Sequence, residues 1–149
     1  MKKYVSYILI VALLLSMIPM NTFANENMEV FYFEDGSYMT IEIISADTRA
    51  TNTKSGSKVA NYYSEDGSLD WRATLSGSFT YTGSSATCTS SSISVSISNS
   101  AWYTISKSAS KSGASATGSV AMGKKLLGVT VSQIAKNLTL TCDRNGKLS

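Results

Sequence analysis

The residues that enzymes use for nucleophilic and metal chemistry are scarce in this chain. Histidine is absent, which excludes Ser-His-Asp and Cys-His catalytic systems and every metal site that needs a histidine ligand. One segment, Ser108-Ala109-Ser110-Lys111, matches the Ser-x-x-Lys motif of acylating serine enzymes. That motif works when a helix brings the serine and the lysine to one face. Here it falls in a predicted Ser/Lys-rich loop, residues 106–113, and its partner Lys-Thr-Gly is missing, so we interpret the match as coincidental.

Three carboxylates, Glu65, Asp66 and Asp70, lie close together beside a predicted turn. A pair of carboxylates can hydrolyse a glycosidic bond, and a cluster of carboxylate oxygens can bind calcium. The spacing does not match a helix–loop–helix calcium loop, and we interpret the cluster as a solvated hairpin turn. The sequence therefore predicts a protein that is not an enzyme, with no catalytic residue, metal or cofactor. A carboxylate-dependent hydrolase is the least favoured function.

Aromatic residues are the best remaining candidates for a binding site. Tyr62-Tyr63 and Trp102-Tyr103 are adjacent pairs, and neighbouring residues of a strand point to opposite faces. One member of each pair is therefore predicted to be exposed, where it could stack on a sugar or contact a protein partner. The alternative is that all four side chains pack in the core or at an edge.

The two cysteines, Cys88 and Cys142, both lie in the part of the chain that is predicted to be exported. In an oxidising compartment an isolated pair is most simply a disulfide. The bridge would close a loop of about 55 residues and contribute roughly 4 kcal/mol in the chain-entropy description. Two buried free thiols are the alternative.

The start of the chain has the pattern of an export signal. Lys2 and Lys3 precede an uncharged run over residues 4–20, and small residues before Asn25 suit a signal peptidase that cuts between Ala24 and Asn25. A membrane anchor is the alternative, but the apolar run is shorter than the ~20 residues that span a bilayer. We therefore expect a signal-peptide helix over residues 1–24 and a secreted product without a membrane span. Its net charge of +1 argues against nucleic acid as a partner and against a cationic membrane-lytic peptide.

Period-two alternation indicates β-strands through the rest of the chain. Strands over residues 28–33 and 38–44 flank the turn Glu34-Asp35-Gly36-Ser37, and Glu65-Asp66-Gly67-Ser68 is a second turn of the same type. The segment Trp71–Tyr81 places aromatic and aliphatic residues on one face and polar residues on the other.

Two positions predict irregularities in these strands. Gly77, inside the alternating segment 71–81, predicts a bulge or a close approach of the backbone. Cys88 and Ile93 have opposite parity, so a bulge within residues 89–92 is needed to put both on one face.

About eight strands separated by turns predict an all-β fold, either an antiparallel sandwich or a small barrel. The order Cys88, Trp102, Cys142 is similar to that of immunoglobulin domains and favours the sandwich, with an Ig-like arrangement as one form. Residues 45–57 contain no large apolar side chain and are predicted to be a linker. The predicted organisation is an N-terminal β-hairpin over residues 25–44, this linker, and a β-sandwich domain over residues 58–149. Alternatively, residues 25–49 are a propeptide that is cut after Arg49.

Several stretches together resemble a family of small uncharacterised secreted Ser/Thr-rich proteins from Gram-positive anaerobic bacteria. This resemblance implies a bacterial source and export, and it offers no functional residues to transfer. The stretches are Tyr62-Tyr63, Asp66-Gly67-Ser68, Trp71, Gly77–Gly83, Cys88-Thr89-Ser90, Ser106–Gly113, Leu138–Cys142, Asn145-Gly146 and Leu148-Ser149.

The favoured function is a secreted non-catalytic β-domain that binds an envelope or extracellular glycan or a protein. A secreted toxin or bacteriocin-like effector is the alternative. Serine and threonine make up 39 of the 125 residues that follow the predicted signal. The predicted surface is therefore hydroxylated rather than charged.

Overall fold

The computed structural model describes residues 28–46 and 51–149, all of which lie in strands, turns or short connections. The predicted signal peptide, the Ala24–Asn25 cleavage site and Arg49 lie outside the described residues. Within the described ranges, no helix has the length and apolarity needed to cross a membrane. The strands are β1 (Met28–Tyr32), β2 (Tyr38–Ala46), β3 (Thr53–Tyr63), β4 (Leu69–Tyr81), β5 (Ala86–Ile97), β6 (Trp102–Ser112), β7 (Ser115–Leu126) and β8 (Val129–Thr141).

These eight strands form two antiparallel sheets, which confirms the all-β prediction. The first sheet has the order β1-β2-β3-β4-β5 and the second has the order β6-β7-β8. They do not join into one closed sheet, so the barrel alternative is wrong. Every strand pairs only with its neighbours in sequence, whereas immunoglobulin domains have Greek-key connections, so the Ig-like alternative is wrong as well.

The core lies between the inner faces of the two sheets. The predicted alternation over residues 71–81 is confirmed, because Trp71, Leu75 and Phe79 are buried and Arg72 and Thr80 are exposed. The second sheet contributes every other residue of β7 and the last part of β8. Its buried side chains in the core are Trp102, Ala116, Val120, Met122, Leu138 and Leu140.

The meander places the connections alternately at two ends of the molecule. The connections β1–β2, β3–β4, β5–β6 and β7–β8 share one end, which we call the Tyr62 end. Both predicted Glu-Asp-Gly-Ser turns are located there, and the Glu65 side chain lies beside Gly36. The connections β4–β5 and β6–β7 share the opposite end, which we call the Cys88 end.

Both predicted irregularities of the first sheet are observed. Ser78 pairs with Ser90 and Phe79 pairs with Cys88, which leaves Thr89 as the extra residue of a bulge. The bulge lets Cys88 and Ile93 face the same side. Gly77 allows a close approach, because an added Cβ would lie 2.9 Å from the Phe79 ring and 3.1 Å from Ala116 Cβ.

The described residues of the predicted linker, 45–46 and 51–57, do not form a linker. Strand β2 continues to Ala46 and β3 begins at Thr53, with Ser45 paired to Gly56. Small residues suit this site because an added Cβ on Gly56 would lie 2.3 Å from a Leu148 methyl. The N-terminal hairpin is also part of the first sheet, since β2 lies between β1 and β3 and buries Met39 and Ile41 in the core. Residue 58 is therefore not a domain boundary in the structure.

The predicted disulfide is wrong, because Cys88 and Cys142 are both buried free thiols that are not at disulfide distance. Their backbone N–H groups donate to opposite sides of the β6–β7 turn, Cys88 to Gly113 O at 2.7 Å and Cys142 to Ala114 O at 3.0 Å. Each Sγ also contacts a carbonyl oxygen of its own segment, Cys88 that of Ser90 at 3.2 Å and Cys142 that of Asp143 at 3.5 Å. Two side chains can face one core without the Cβ geometry that a disulfide requires. Burial raises the pKa of both thiols.

Candidate functional site

The Ser-x-x-Lys segment does not form a catalytic pair. It lies in strand β6 rather than in a loop, and a spacing of three in a strand places Ser108 and Lys111 on opposite faces. The Ser108 hydroxyl contacts the Ser119 hydroxyl at 2.8 Å, and the Lys111 ammonium donates to the Thr89 carbonyl.

The carboxylates near residue 66 do not share a site, because Asp66 and Asp70 have separate structural partners. Asp66 accepts hydrogen bonds from the Ser68 N–H at 2.9 Å and the Ser64 hydroxyl at 2.8 Å within its own turn. These bonds hold the pKa of Asp66 below its usual range. Among the described residues, no group of three or more cysteines and carboxylates is placed to hold a metal ion.

Asp70 is a buried carboxylate that ties the β5–β6 connection to β4. Its Oδ2 accepts from Trp102 Nε1 at 2.9 Å and its Oδ1 from Asn99 Nδ2 at 2.8 Å. The Asp70 carbonyl also accepts from the N–H groups of Ser98 and Asn99. Asp70 therefore positions Trp102 at the Tyr62 end and is not available to act on a ligand.

Tyr62 and Trp102 form the aromatic core of this end. The Tyr62 ring stacks on Trp71 with centroids 5.3 Å apart, and it meets the edge of Trp102 at 5.1 Å. Because both Tyr62 and Trp102 are buried, these two predicted binding aromatics serve packing.

The Tyr62 hydroxyl is linked to an exposed carboxylate by two hydrogen bonds that share one serine. It donates to Ser37 Oγ at 2.7 Å, and Ser37 Oγ donates in turn to Asp35. The hydrogen bonds from Ser37 hold the pKa of Asp35 below its usual range, whereas burial raises the pKa of Tyr62. The arrangement fixes the β1–β2 turn against the aromatic core.

An open cleft lies between the sheets at this end. It consists of adjoining hollows of about 490, 350 and 330 Å³ that share Asp35 and Tyr62. The β7–β8 hairpin supplies one wall and the β1–β2 turn supplies the other. The other lining residues include Phe33, Glu34, Trp102, Lys124, Leu126, Val131 and Ile134.

The accessible aromatic surface is on the outer face of the first sheet. Tyr32 pairs with Tyr38 across β1 and β2, and Tyr38 pairs with Tyr63 across β2 and β3. The Tyr38 and Tyr63 rings are stacked with centroids 4.8 Å apart, and Tyr32 lies 6.0 Å from Tyr38 with 80% of its surface exposed. We call these three residues the tyrosine ladder.

A polar row lies next to the tyrosine ladder on the same face. Arg72 Nε donates to Asn61 Oδ1 at 2.6 Å, and Asn61 Nδ2 donates to Thr40 Oγ1 at 3.2 Å and to Glu42 Oε1 at 3.4 Å. The ladder is thus bordered by accessible guanidinium, hydroxyl and carboxylate groups, which the buried Asn61 amide holds in place. Such groups can hydrogen-bond a ligand whose apolar face lies on the rings.

Of the four predicted binding aromatics, Tyr63 and Tyr103 are on outer faces but lie far apart in the fold. Tyr103 is on the second sheet, where its ring lies across Gly123, its hydroxyl contacts Thr130 Oγ1 at 2.9 Å and Lys125 Nζ lies 4.6 Å from its centroid. Sequence reasoning missed Tyr32 and Tyr38. The tight β1–β2 turn was a signal for their pairing, but the pairing of Tyr38 with Tyr63 depends on the register between β2 and β3.

No protein-family model, curated protein or solved structure matches the chain. The interpretation of the site therefore rests on its geometry.

Proposed function

We propose that the chain is a secreted, non-catalytic binding module that recognises an extracellular or envelope glycan through the tyrosine ladder. The observation that carries the proposal is the alignment of Tyr32, Tyr38 and Tyr63 on three neighbouring strands of one outer face. The rings contact one another without a ligand, so little conformational entropy is lost when a ligand binds.

The chemistry of the ladder favours a sugar. A tyrosine ring offers an apolar face for the C–H groups of a pyranose and a hydroxyl for hydrogen bonding. The neighbouring Thr40, Glu42 and Arg72 side chains, which are held by buried Asn61, supply further donors and acceptors for sugar hydroxyls. Export, predicted from residues 1–24, supports a target outside the cell.

The test is co-sedimentation of the purified protein with insoluble peptidoglycan, chitin and cellulose. We expect the wild type to bind at least one of them and Tyr32→Ala to bind that glycan roughly three- to tenfold more weakly, as expected for one lost aromatic contact. Tyr32 is highly exposed on an edge strand, so its replacement should leave the fold intact.

Leu127→Asn is the matched control, because Leu127 is an exposed apolar residue in the β7–β8 turn, away from the tyrosine ladder. It should bind glycan as the wild type does. The proposal is wrong if the wild type sediments with none of the three glycans, or if Tyr32→Ala binds as tightly as the wild type.

A further inference from the structure

The connection between β7 and β8 is a two-residue turn with an unusual residue in it. Leu127 has φ of 50° and Gly128 has φ of 82°, so both central residues are in the left-handed region that a type I′ hairpin turn requires. Asn-Gly is the sequence that suits this turn, and an L-residue with a bulky side chain is disfavoured there. Leucine at position 127 is therefore unfavourable for the local fold.

Nothing in the packing compensates for this choice. Leu127 is 98% exposed, and Leu126, Val129 and Val131 around it are 63%, 65% and 55% exposed. The tip lies beyond the hydrogen bond from the Lys125 N–H to the Ala101 carbonyl, which joins this hairpin to the β5–β6 connection. A strained backbone position that presents a large exposed side chain points to a functional contact made by that side chain.

The charge around the tip indicates what it contacts. Lys124 and Lys125 precede the tip directly, and no aspartate or glutamate occurs between Asp70 and Asp143. The second sheet, strands β6 to β8, therefore carries five lysines and no carboxylate. The carboxylates at this end of the molecule, among them Asp35 and Asp66, belong to the turns of the first sheet and line the cleft beside the hairpin.

The size of the tip favours a lipid surface over a protein partner. A stable protein interface needs about 20–30 residues on each side, whereas the tip offers four apolar side chains around one turn. Binding to a bilayer requires fewer residues than a protein interface, because each side chain that enters the headgroup region contributes separately to the binding free energy. Lysines beside these side chains also attract anionic lipid.

We propose that the β7–β8 tip docks the protein on anionic lipid bilayers, with Leu126 and Leu127 entering the boundary between headgroups and acyl chains. Lys124 and Lys125 then lie at the level of the lipid phosphates. This site is separate from the tyrosine ladder and does not depend on the proposed glycan binding.

The test is co-sedimentation of the full chain with phosphatidylcholine vesicles that contain or lack phosphatidylglycerol. We expect binding that requires phosphatidylglycerol, and a loss of roughly tenfold in Leu127→Asn. Asparagine suits the turn, so this variant keeps the fold and isolates the loss of the apolar side chain. Tyr32→Ala should bind vesicles as the wild type does.

Three results would overturn the proposal. The first is wild-type protein that binds neither vesicle or binds both equally. The second is Leu127→Asn that binds as tightly as the wild type. The third is wild-type protein that self-associates without vesicles while Leu127→Asn does not, because the tip would then be an interface between two copies of this chain.

Discussion

Replacing Leu127 by asparagine should stabilise the protein, although it removes an apolar side chain. A left-handed conformation costs an ordinary L-residue roughly 1–2 kcal/mol, and asparagine adopts it with less strain. Leu127 is 98% exposed, so the substitution gives up almost no buried apolar area. We expect Leu127→Asn to raise the free energy of unfolding by about 1 kcal/mol.

Urea denaturation at neutral pH measures this change. With a slope of about 2 kcal/mol per molar urea, the midpoint should rise by about 0.5 M. The matched control is Asn52→Leu at the β2–β3 connection, where exposed Asn52 has φ of 64°. Its carbonyl accepts from the Tyr81 N–H at 3.0 Å, and that bond does not involve the side chain. Asn52→Leu should therefore lose about as much stability as Leu127→Asn gains. If the urea midpoint of Leu127→Asn is equal to or below that of the wild type, leucine is not strained at the tip.

Three further predictions follow from the buried polar groups and the turns. Asp70→Ala should lower the free energy of unfolding by about 2–4 kcal/mol, because it leaves the Trp102 Nε1–H and the Asn99 amide without their acceptor; a loss below about 1 kcal/mol in urea denaturation would contradict this assignment. Cys88 and Cys142 should react with iodoacetamide only after the protein is unfolded, and this reaction should need no reductant. If mass spectrometry shows no alkylation of the unfolded, unreduced protein, the two cysteines form a disulfide and the prediction is wrong. Because the pKa of Asp35 is lowered in the fold, its contribution to stability is present above its ordinary value of 3.8 and is lost as pH falls through the folded pKa. Urea midpoints between pH 5 and 2 should therefore fall less steeply in Asp35→Asn than in the wild type, and equal slopes would refute this.

The distribution of charge in the fold changes how the net charge of the protein should be interpreted. A net charge of +1 after the predicted signal argued against a membrane-active peptide. The fold, however, collects five lysines on the second sheet, while most of the carboxylates lie in the first sheet and its turns. Of these lysines, Lys124 and Lys125 adjoin the β7–β8 tip, so a nearly neutral protein can present local positive charge to a lipid surface while its average charge remains small.

Local pattern was enough to predict much of the fold. The alternation over residues 71–81, the two Glu-Asp-Gly-Ser turns, the close approach at Gly77 and the bulge at Thr89 all follow from period two or from turn chemistry, and all are confirmed. Apart from the contact of Gly77 with Ala116, these features depend on residues that are near one another in the chain. Local interactions are therefore sufficient to specify them.

The wrong predictions share a different physical cause. Residues 45–46 and 53–57 have no large apolar side chain where the end of β2 pairs with the start of β3 and Leu148 packs over Gly56. Cys88 and Cys142 both face the core, but the β6–β7 turn lies between their backbones. Both outcomes depend on which distant segments meet, and composition does not contain that information.

The sequence by itself determined the strands with clear alternation, such as residues 71–81, the side of them that is buried, the tight turns and the absence of histidine chemistry. Only the tertiary structure decided which exposed residues act together. It aligned Tyr32, Tyr38 and Tyr63 through the register of three strands, and it left Leu127 in a left-handed turn with no protein neighbour to cover it. The physical reason is that period and turn type are local properties of a chain, whereas register between strands and exposure at a hairpin tip depend on the packing of the whole fold.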